Sequence, residues 1–198
     1  MTSEILWLTW EHVQLVLVAI AVAAGVGLPA AVALTRRPGA RRWAMGFANI
    51  AQTIPSLALF GFLVPLVGIG KTTAIVALCL YALLPILRNT LTGILGVDRA
   101  VHESAIAMGM TARQILWQVE LPLAIPSIVT GLRIATVTTI GTATIAAAIG
   151  GGGLGVFIFR GLAMFDKTTV LAGALPAALL ALAADEGLEW IERRLSAA

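Results

Sequence analysis

The chain has 198 residues, of which 59% are hydrophobic and only 12% are charged, and its mean hydropathy is +0.97. A soluble globular domain carries about a quarter charged residues, so this composition excludes one and indicates a membrane protein with a single domain. The net charge of +3 does not indicate a nucleic-acid partner, because the basic residues lie in short clusters between apolar runs, as they do in membrane proteins.

Five apolar stretches predict membrane-spanning helices. At 1.5 Å per residue, a helix as long as the first of them covers roughly 33 Å, which is enough to cross the hydrocarbon core of a bilayer. We therefore expect an all-α, polytopic membrane protein in which one transmembrane domain covers residues 1–198. The predicted spans are, in chain order, residues 13–34, 47–67, 72–91, 125–149 and 169–191.

The second and fourth predicted spans carry residues that are unusual in contact with lipid. Pro55 and Pro65 interrupt the second span, so its polar side chains are expected to face other helices or a cavity. The fourth span is rich in threonine and contains Gly131 and Gly141. Small and hydroxyl-bearing residues suit close helix packing in a bilayer, and we therefore expect the fourth span to be central.

The charges at the ends of the spans predict the orientation of the chain. Glu4 and Glu11 precede the first apolar run, and a cluster of arginines at residues 36–42 follows it. This order is the opposite of a cleavable signal peptide and indicates a first helix retained in the membrane. An N-out, C-in topology places residues 36–42, 98–120 and 193–194 in the cytoplasm, as the positive-inside rule expects. The basic residues left outside are Lys71, Arg160 and Lys167.

The polar segment at residues 98–122 predicts two short helices. Asp98 is placed to cap the first helix, and Gly109 to end it. Thr111 is placed to cap a second helix, which we expect to end at Pro122. The result is a helix–glycine–helix hairpin on the cytoplasmic face. Its few apolar residues cannot span a membrane, so they require a protein partner.

This hairpin resembles the EAA loop of ABC importer permeases. The pattern of that loop is Glu-Ala-Ala, three residues, Gly, nine residues, Ile, one residue and Leu-Pro, and the chain follows it with Ser104 and Val119 as mild departures. In that family the loop forms a coupling helix that inserts into a cleft of the ATPase subunit. The residues to which the resemblance assigns ATPase coupling are Glu103, Ser104, Ala105, Gly109, Leu121 and Pro122.

Further segments are similar to osmoprotectant permeases of the glycine betaine, carnitine and choline class. Methionine permeases share the five spans and the loop, so a permease for methionine or another amino acid is the alternative. The resemblance implies the methionine-permease-like ABC importer fold. The similar segments are residues 52–59, 68–70, 80–90 and 149–162.

The resemblance also implies the partners and the location of the chain. It implies a homodimer or a paired permease, ABC ATPase subunits and an extracytoplasmic substrate-binding protein, all at the bacterial cytoplasmic membrane. ATP and Mg would be bound by the ATPase, so no cofactor and no metal are expected in this chain. We expect a transport subunit and not an enzyme.

Polar residues at mid-membrane depth usually mark the path of a substrate. The expected path residues are Gln52 and Ser56 in the second span, with Thr136 and Thr138 in the fourth. An ATP-independent secondary transporter would need coupling-ion carboxylates within the spans, and these are lacking outside residues 185–186. A membrane enzyme ranks last, because no paired catalytic groups share one side.

Four other features are weaker. Residues 70–72 resemble the end of a phosphate-binding loop, but Pro65 stands where that loop needs its first glycine. The glycine run at 150–155 does not follow a strand, which argues against a dinucleotide site and favours a flexible outer turn. His12 and His102 are expected to be interfacial. The acidic residues expected to form a solvated inner helix end are Asp185, Glu186, Glu189 and Glu192.

Overall fold

The computed structural model describes residues 2–196, which form nine α-helices joined by short turns. A π-helical turn at Leu116–Glu120 and a 3-10 segment at Thr144–Ile149 interrupt the regular helices. The helices are α1 (Thr2–Thr35), α2 (Pro38–Thr53), α3 (Ser56–Val67), α4 (Lys71–Leu95), α5 (Arg99–Ala107), α6 (Ala112–Ile115), α7 (Leu121–Ala143), α8 (Gly155–Met164) and α9 (Lys167–Ser196).

Four helical segments within the described residues are long and apolar enough to cross a membrane. The helices α2 and α3 supply a fifth span when they are taken as one bent element. The prediction of an all-α polytopic protein is therefore confirmed, and five spans result when the bent pair is one span. The four long segments are Ser3–Thr35, Lys71–Leu95, Ala112–Ile149 and Lys167–Leu195.

The second span is a bent pair of helices with its break at Pro55, as the sequence predicts, whereas Pro65 lies inside α3 and does not interrupt it. The α2 helix ends at Thr53, α3 begins at Ser56, and the two axes differ by 104°. Pro55 causes the break, because it has no backbone N–H and its ring excludes the helical conformation at the preceding residue. Ile54 accordingly has φ −71° and ψ 126°, which is an extended conformation.

The fourth span shares the central position with α4, because α7 packs against α1, α4 and α9. The α4 helix is the more buried of the two. It packs against α1, α2, α3 and α7. Half of its apolar stretch is buried, compared with 28% for Ala112–Ile149. The approach of α7 to α4 is close: a Cβ added at Gly131 would lie 2.7 Å from Cβ of Asn89 and 3.0 Å from the carbonyl oxygen of Pro85. A small residue at this position therefore permits the contact.

The second arm of the hairpin does not end at Pro122, which corrects another expectation. The α6 helix continues through the π-helical turn into α7, so that one helical rod extends over Ala112–Ile149. Proline ends a regular helix because it removes one backbone bond and its ring meets the carbonyl four residues earlier. Here the backbone N–H of Leu121 donates to the carbonyl of Leu116, five residues earlier. This shift in bonding lets the helix pass Pro122.

The glycine run at residues 150–155 is not a flexible turn. Gly151, Gly153 and Gly155 are buried. A Cβ added at Gly155 would overlap the carbonyl oxygen of Thr144, and one at Gly151 would lie 2.8 Å from the carbonyl oxygen of Ala146. The glycines therefore allow the chain to fold back tightly on its own 3-10 segment before α8 begins.

The turn between α8 and α9 is held by one carboxylate. Asp166 accepts a hydrogen bond from the backbone N–H of Thr168 at 2.9 Å, and it also accepts bonds from the hydroxyls of Thr168 and Thr169. These bonds, led by the hydroxyl of Thr168, lower the pKa of Asp166 to about 2. The side chain is therefore ionised at neutral pH and caps the start of α9.

The close packing at the glycine run predicts that Gly155→Ala is strongly destabilising. The added methyl group would overlap the Thr144 backbone, and a loss of about 2–3 kcal/mol is expected because overpacking against backbone is poorly relieved. The measurement is the apparent melting temperature of the purified protein in detergent. Gly25→Ala is the matched control, because nothing lies within 4 Å of a Cβ there. Equal losses in the two variants would contradict the packing argument.

Candidate functional site

The bend of the hairpin formed by α5 and α6 is defined by caps and by one glycine. The backbone N–H of Ala100 donates to Asp98 at 2.8 Å, as predicted for the cap of α5. Thr111 caps α6 in a reciprocal arrangement with Gln114. Between the two helices Gly109 has φ +79°, a left-handed conformation that favours glycine. The hairpin is therefore conformationally restricted and keeps its shape at the bend.

Large apolar side chains are exposed on the hairpin. Ile106 is 55% exposed, Met108 74% and Trp117 61%, and we refer to these three residues as the hairpin patch. A shallow cavity of about 420 Å³ adjoins Trp117 and is lined also by Thr111, Arg113 and Gln114. By contrast, Ile115 is only 3% exposed and packs inward. Exposed large apolar side chains on a polar hairpin are of the kind that a partner protein covers.

A buried carboxylate joins both arms of the hairpin to the first span. Glu120 is 7% exposed, and its two carboxylate oxygens lie 3.1 and 3.3 Å from Nη2 of Arg36, at the end of α1. Nδ1 of His102, in α5, lies 3.3 Å from Oε1 of Glu120. His102 is thus half-buried beside the ion pair of Arg36 and Glu120. Sequence reasoning missed this network, for which the only signal was an acidic residue between the apolar Val119 and Leu121.

The residues assigned to coupling by resemblance are distributed over this hairpin. Glu103 is exposed and pairs with Arg99 of the same helix at 2.7 Å. The hydroxyl of Ser104 donates to the carbonyl of Ala100, and Ala105 is buried. Leu121 and Pro122 lie beyond the π-helical turn, in the first turn of α7. The coupling role of these residues stays a prediction.

A cavity of about 370 Å³ lies between α2, α4 and α7, and we name it the path cavity. Its apolar wall includes Leu84, Pro85 and Ile134. Among the residues that line it, none is acidic. The polar residues that line it are Gln52, Tyr81, Arg88, Asn89, Thr138 and Thr142.

The four expected path residues do not all meet in this cavity. Gln52 and Thr138 line it together. Thr136 instead lines a separate, mostly apolar groove beside His12 and Leu180. Ser56 is half-buried at the start of α3, directly after the proline bend. The prediction therefore located two cavity residues and missed Tyr81 and Arg88, whose sequence context reads as an ordinary apolar span.

Hydrogen bonds fix the end of α2 against α4 at the path cavity. The side-chain amide of Gln52 donates to the carbonyl of Tyr81 at 2.9 Å. The hydroxyl of Tyr81 donates in return to the carbonyl of Ile54, at the proline bend. Nη2 of Arg88 donates to the amide oxygen of Asn49 at 3.2 Å. The bend that breaks the second span thus places polar groups in the wall of the cavity.

The acidic residues near the C-terminus are not a solvated helix end, which is a further correction. Arg133 of α7 lies 2.5 Å from Asp185, 2.9 Å from Glu189 and 3.5 Å from Glu192 of α9. The hydroxyl of Thr130 also donates to Glu192 at 2.6 Å. Because the guanidinium of Arg133 contacts three carboxylates of α9, one of which also pairs with Arg193, this cluster joins α7 to α9. Glu186 alone of the four acidic residues is exposed.

Another polar cluster lies in the N-terminal part of α1, far from Arg36. Glu11 pairs with Lys71 at 2.6 Å and accepts the backbone N–H of Gly153 at 2.8 Å. His12 is fully buried, and its Nε2 lies 3.1 Å from the carbonyl oxygen of Ile140. Among residues 2–196, no group of three or more His, Cys, Asp or Glu side chains is placed to hold a metal ion.

Known proteins resemble this chain over nearly its whole length. The family described as binding-protein-dependent transport system inner membrane component matches residues 16–197. The glycine betaine/carnitine/choline transport system permease protein OpuCB of Bacillus subtilis (strain 168) is 46% identical over 194 residues, which are 98% of this chain and 89% of that protein. The choline transport system permease protein OpuBB of the same organism is 46% identical over 196 residues, 99% of this chain and 90% of that protein.

Solved structures share the fold. A structure of the MetNI methionine ABC transporter in inward-facing conformations aligns with a TM-score of 0.89 at 26% identity, covering 98% of this chain and 97% of that chain. An amino acid ABC transporter aligns with a TM-score of 0.82 at 19% identity, covering 98% and 94%, which shows the fold alone. Together with the family match, these similarities show that the chain belongs to the binding-protein-dependent transport system inner membrane component family and is a permease subunit of an ABC importer.

Proposed function

We propose that this permease takes up quaternary-amine osmoprotectants, a class that includes glycine betaine, carnitine and choline. The observation that carries the proposal is the 46% identity, over 98% and 99% of this chain, with permeases named for these compounds. The methionine transporter shares the fold with a TM-score of 0.89 but only 26% of the sequence. Methionine import is therefore the second candidate.

The assembly in which the chain works is part of the same proposal. The permease pairs with a second copy or with a related permease in the bacterial cytoplasmic membrane, with its N-terminus outside and its C-terminus inside. Separate ATPase subunits bind ATP and Mg and hydrolyse the nucleotide, and an extracytoplasmic protein delivers the substrate. The hairpin patch supports this assembly, because Ile106, Met108 and Trp117 expose apolar surface that a soluble partner would cover.

Coupling in this proposal depends on the contacts of Glu120, which connect the hairpin to the membrane spans. A displaced α5 pulls on Glu120 through His102, and Glu120 also holds Arg36 at the end of α1. Because α6, the π-helical turn and α7 form one rod, the same displacement reaches the path cavity at Thr138 and Thr142. The hairpin thereby changes the wall of the cavity without contacting the substrate.

Uptake measurements test the substrate class. The permease is expressed with its own ATPase and substrate-binding protein in cells that lack osmoprotectant uptake, and import of radiolabelled glycine betaine, carnitine, choline and methionine is measured. We expect ATP-dependent import of at least one quaternary amine and none of methionine. Import of methionine alone would overturn the proposed substrate class.

The conformation of Gly109 predicts the outcome of substitutions at the bend. Valine is strongly disfavoured at φ +79°, whereas asparagine adopts the left-handed region more readily than most residues. Since left-handed backbone costs an ordinary residue about 1–2 kcal/mol, Gly109→Val should distort the hairpin and abolish both ATPase co-purification and uptake. Gly109→Asn is the matched control and should keep most of both. Membrane insertion should be equal in the two variants, and full activity of Gly109→Val would contradict the role of the bend.

The buried network predicts an uncoupled phenotype for Glu120→Gln. The hairpin patch is unaltered in this variant, so the ATPase should still co-purify, but a neutral amide holds Arg36 less strongly than a carboxylate does. We expect the number of substrate molecules imported per ATP hydrolysed to fall about tenfold, because the charge-assisted bonds that hold Arg36 to Glu120 are replaced by weaker bonds to an amide.

The charge-exchanged double variant, Arg36→Glu with Glu120→Arg, should recover part of the lost coupling. Arg160→Gln serves as a control, because it removes an ion pair with Glu4 in which both side chains are about two-fifths exposed. Unchanged coupling in Glu120→Gln would show that the network has no transmitting role.

A further inference from the structure

Arg88 lies in the wall between two cavities. It lines the path cavity together with Gln52 and Thr138. It also lines a wider cavity of about 640 Å³, which is bounded by Arg42 and by Leu95 at the end of α4. Because this cavity reaches the C-terminal end of α4, which leads directly into the hairpin, it lies nearer to the hairpin than the path cavity does. A substrate that leaves the path cavity in that direction therefore passes the guanidinium of Arg88.

The charge of Arg88 is not balanced by a carboxylate. Among the ion pairs formed by residues 2–196, none involves Arg88. No acidic residue lines either cavity. The amide oxygen of Asn49 accepts one hydrogen bond from Nη2 at 3.2 Å, which holds the side chain in place without neutralising it. The guanidinium therefore keeps donors and a full charge available, in the fork geometry that matches a carboxylate.

An aromatic ring lies on the same face of α4. Tyr81 precedes Arg88 by seven residues, which is two helical turns and about 10 Å along the axis. Its hydroxyl donates to the carbonyl of Ile54, so the ring is anchored in the wall of the path cavity. Aromatic faces attract quaternary ammonium groups. The path cavity is thus lined by the ring of Tyr81, which can contact a cation, and nearer the hairpin by the guanidinium of Arg88, which can bind an anion.

We propose that Arg88 binds the carboxylate of a zwitterionic substrate in the path cavity, while the ring of Tyr81 contacts its trimethylammonium group. This inference rests on the proposed function and narrows it. Glycine betaine and carnitine carry both groups, whereas choline carries the ammonium and a hydroxyl. Arg88 therefore favours passage of the zwitterions and disfavours choline, which it repels as a cation.

The test compares maximal uptake rates with the substrate-binding protein in excess. Under this condition, differences in how well the binding protein delivers each substrate to the permease do not affect the rates. The permease is reconstituted in proteoliposomes with its ATPase, and glycine betaine, carnitine and choline are each supplied at saturating concentration. Arg88→Gln should lower the rates for glycine betaine and carnitine about tenfold or more, since the charge-assisted bonds to the carboxylate are lost. The rate for choline should stay the same or rise. Arg88→Lys, which keeps the charge but not the fork, should be intermediate.

Two further variants serve as matched controls. Arg160→Gln removes a cation that lines neither of the two cavities, and it should leave all three rates unchanged. Tyr81→Leu should lower all three rates alike, because every one of these substrates carries the ammonium group, whereas Tyr81→Phe retains the ring and should lower them less. Co-purification with the ATPase checks that each variant folds. Should Arg88→Gln fail this check, Asn49→Ala, which frees the Arg88 side chain, must lower the zwitterion rates selectively.

The outcomes separate this inference from the proposed function. If Arg88→Gln lowers the rates for all three substrates equally, the proposed role of Arg88 is overturned. If Asn49→Ala is tested in its place, an unchanged rate for the zwitterions overturns that role. An unaltered permease that carries choline alone would leave the proposed function standing and overturn the inference. An unaltered permease that carries none of the three would overturn the proposed function itself.

Discussion

Lipid offers no hydrogen-bond partner to the backbone, so every break in a helix of the membrane domain must be supported by protein groups. At the break between α3 and α4, the hydroxyl of Thr73 donates to the carbonyl of Gly68, and the N–H of Gly70 donates to the carbonyl of Ile149. At the glycine run, the N–H of Gly153 donates to Glu11 of α1. These bonds bring together helix breaks that are far apart in the sequence but lie at one end of the molecule. They therefore connect α1, α4 and the 3-10 segment at points where the backbone is not helical.

The same constraint makes the rod Ala112–Ile149, which contains α7, the longest continuous helical element within residues 2–196. A true break between the hairpin and the fourth span would leave backbone groups unpaired at the membrane boundary, and the π-helical turn avoids this by shifting the bonding pattern by one residue. The rod that results places Ile115 and Thr138 roughly 35 Å apart along a single axis. A rigid helix transmits displacement over such a distance better than a loop, because its backbone bonds do not rearrange. The continuity that satisfies the backbone thus also connects the hairpin mechanically to the path cavity.

The sequence predicts the features that depend on a local pattern, such as spans and helix caps. It does not predict the contacts between residues that are far apart in the chain. Hydropathy found the spans, and the caps at Asp98 and Thr111 followed from residue type and spacing alone. The contact of Arg133 with three carboxylates and that of Glu120 with Arg36 join residues that are 52 to 84 positions apart, and nothing local indicates them. The burial of His12 also was not indicated locally, since its Nε2 contacts the carbonyl oxygen of Ile140, 128 positions away. The proline bend was visible as Pro55, but its angle and the cavity it forms required the packing of α2 on α4.

Arginines that look alike in the sequence acquire different roles from their partners. Counting positive charges treats Arg36, Arg88 and Arg133 equally, as markers of orientation. In the fold, Arg133 meets three carboxylates and Arg36 meets one, so both are committed to structure. Arg88 meets only a neutral amide beside an open cavity. A carboxylate partner within the chain would compete with any anionic ligand, and complete freedom of the side chain would raise the entropy lost on binding. A guanidinium that is oriented by an amide but not neutralised avoids both penalties, and this is the arrangement that weak, reversible recognition in a transport path requires.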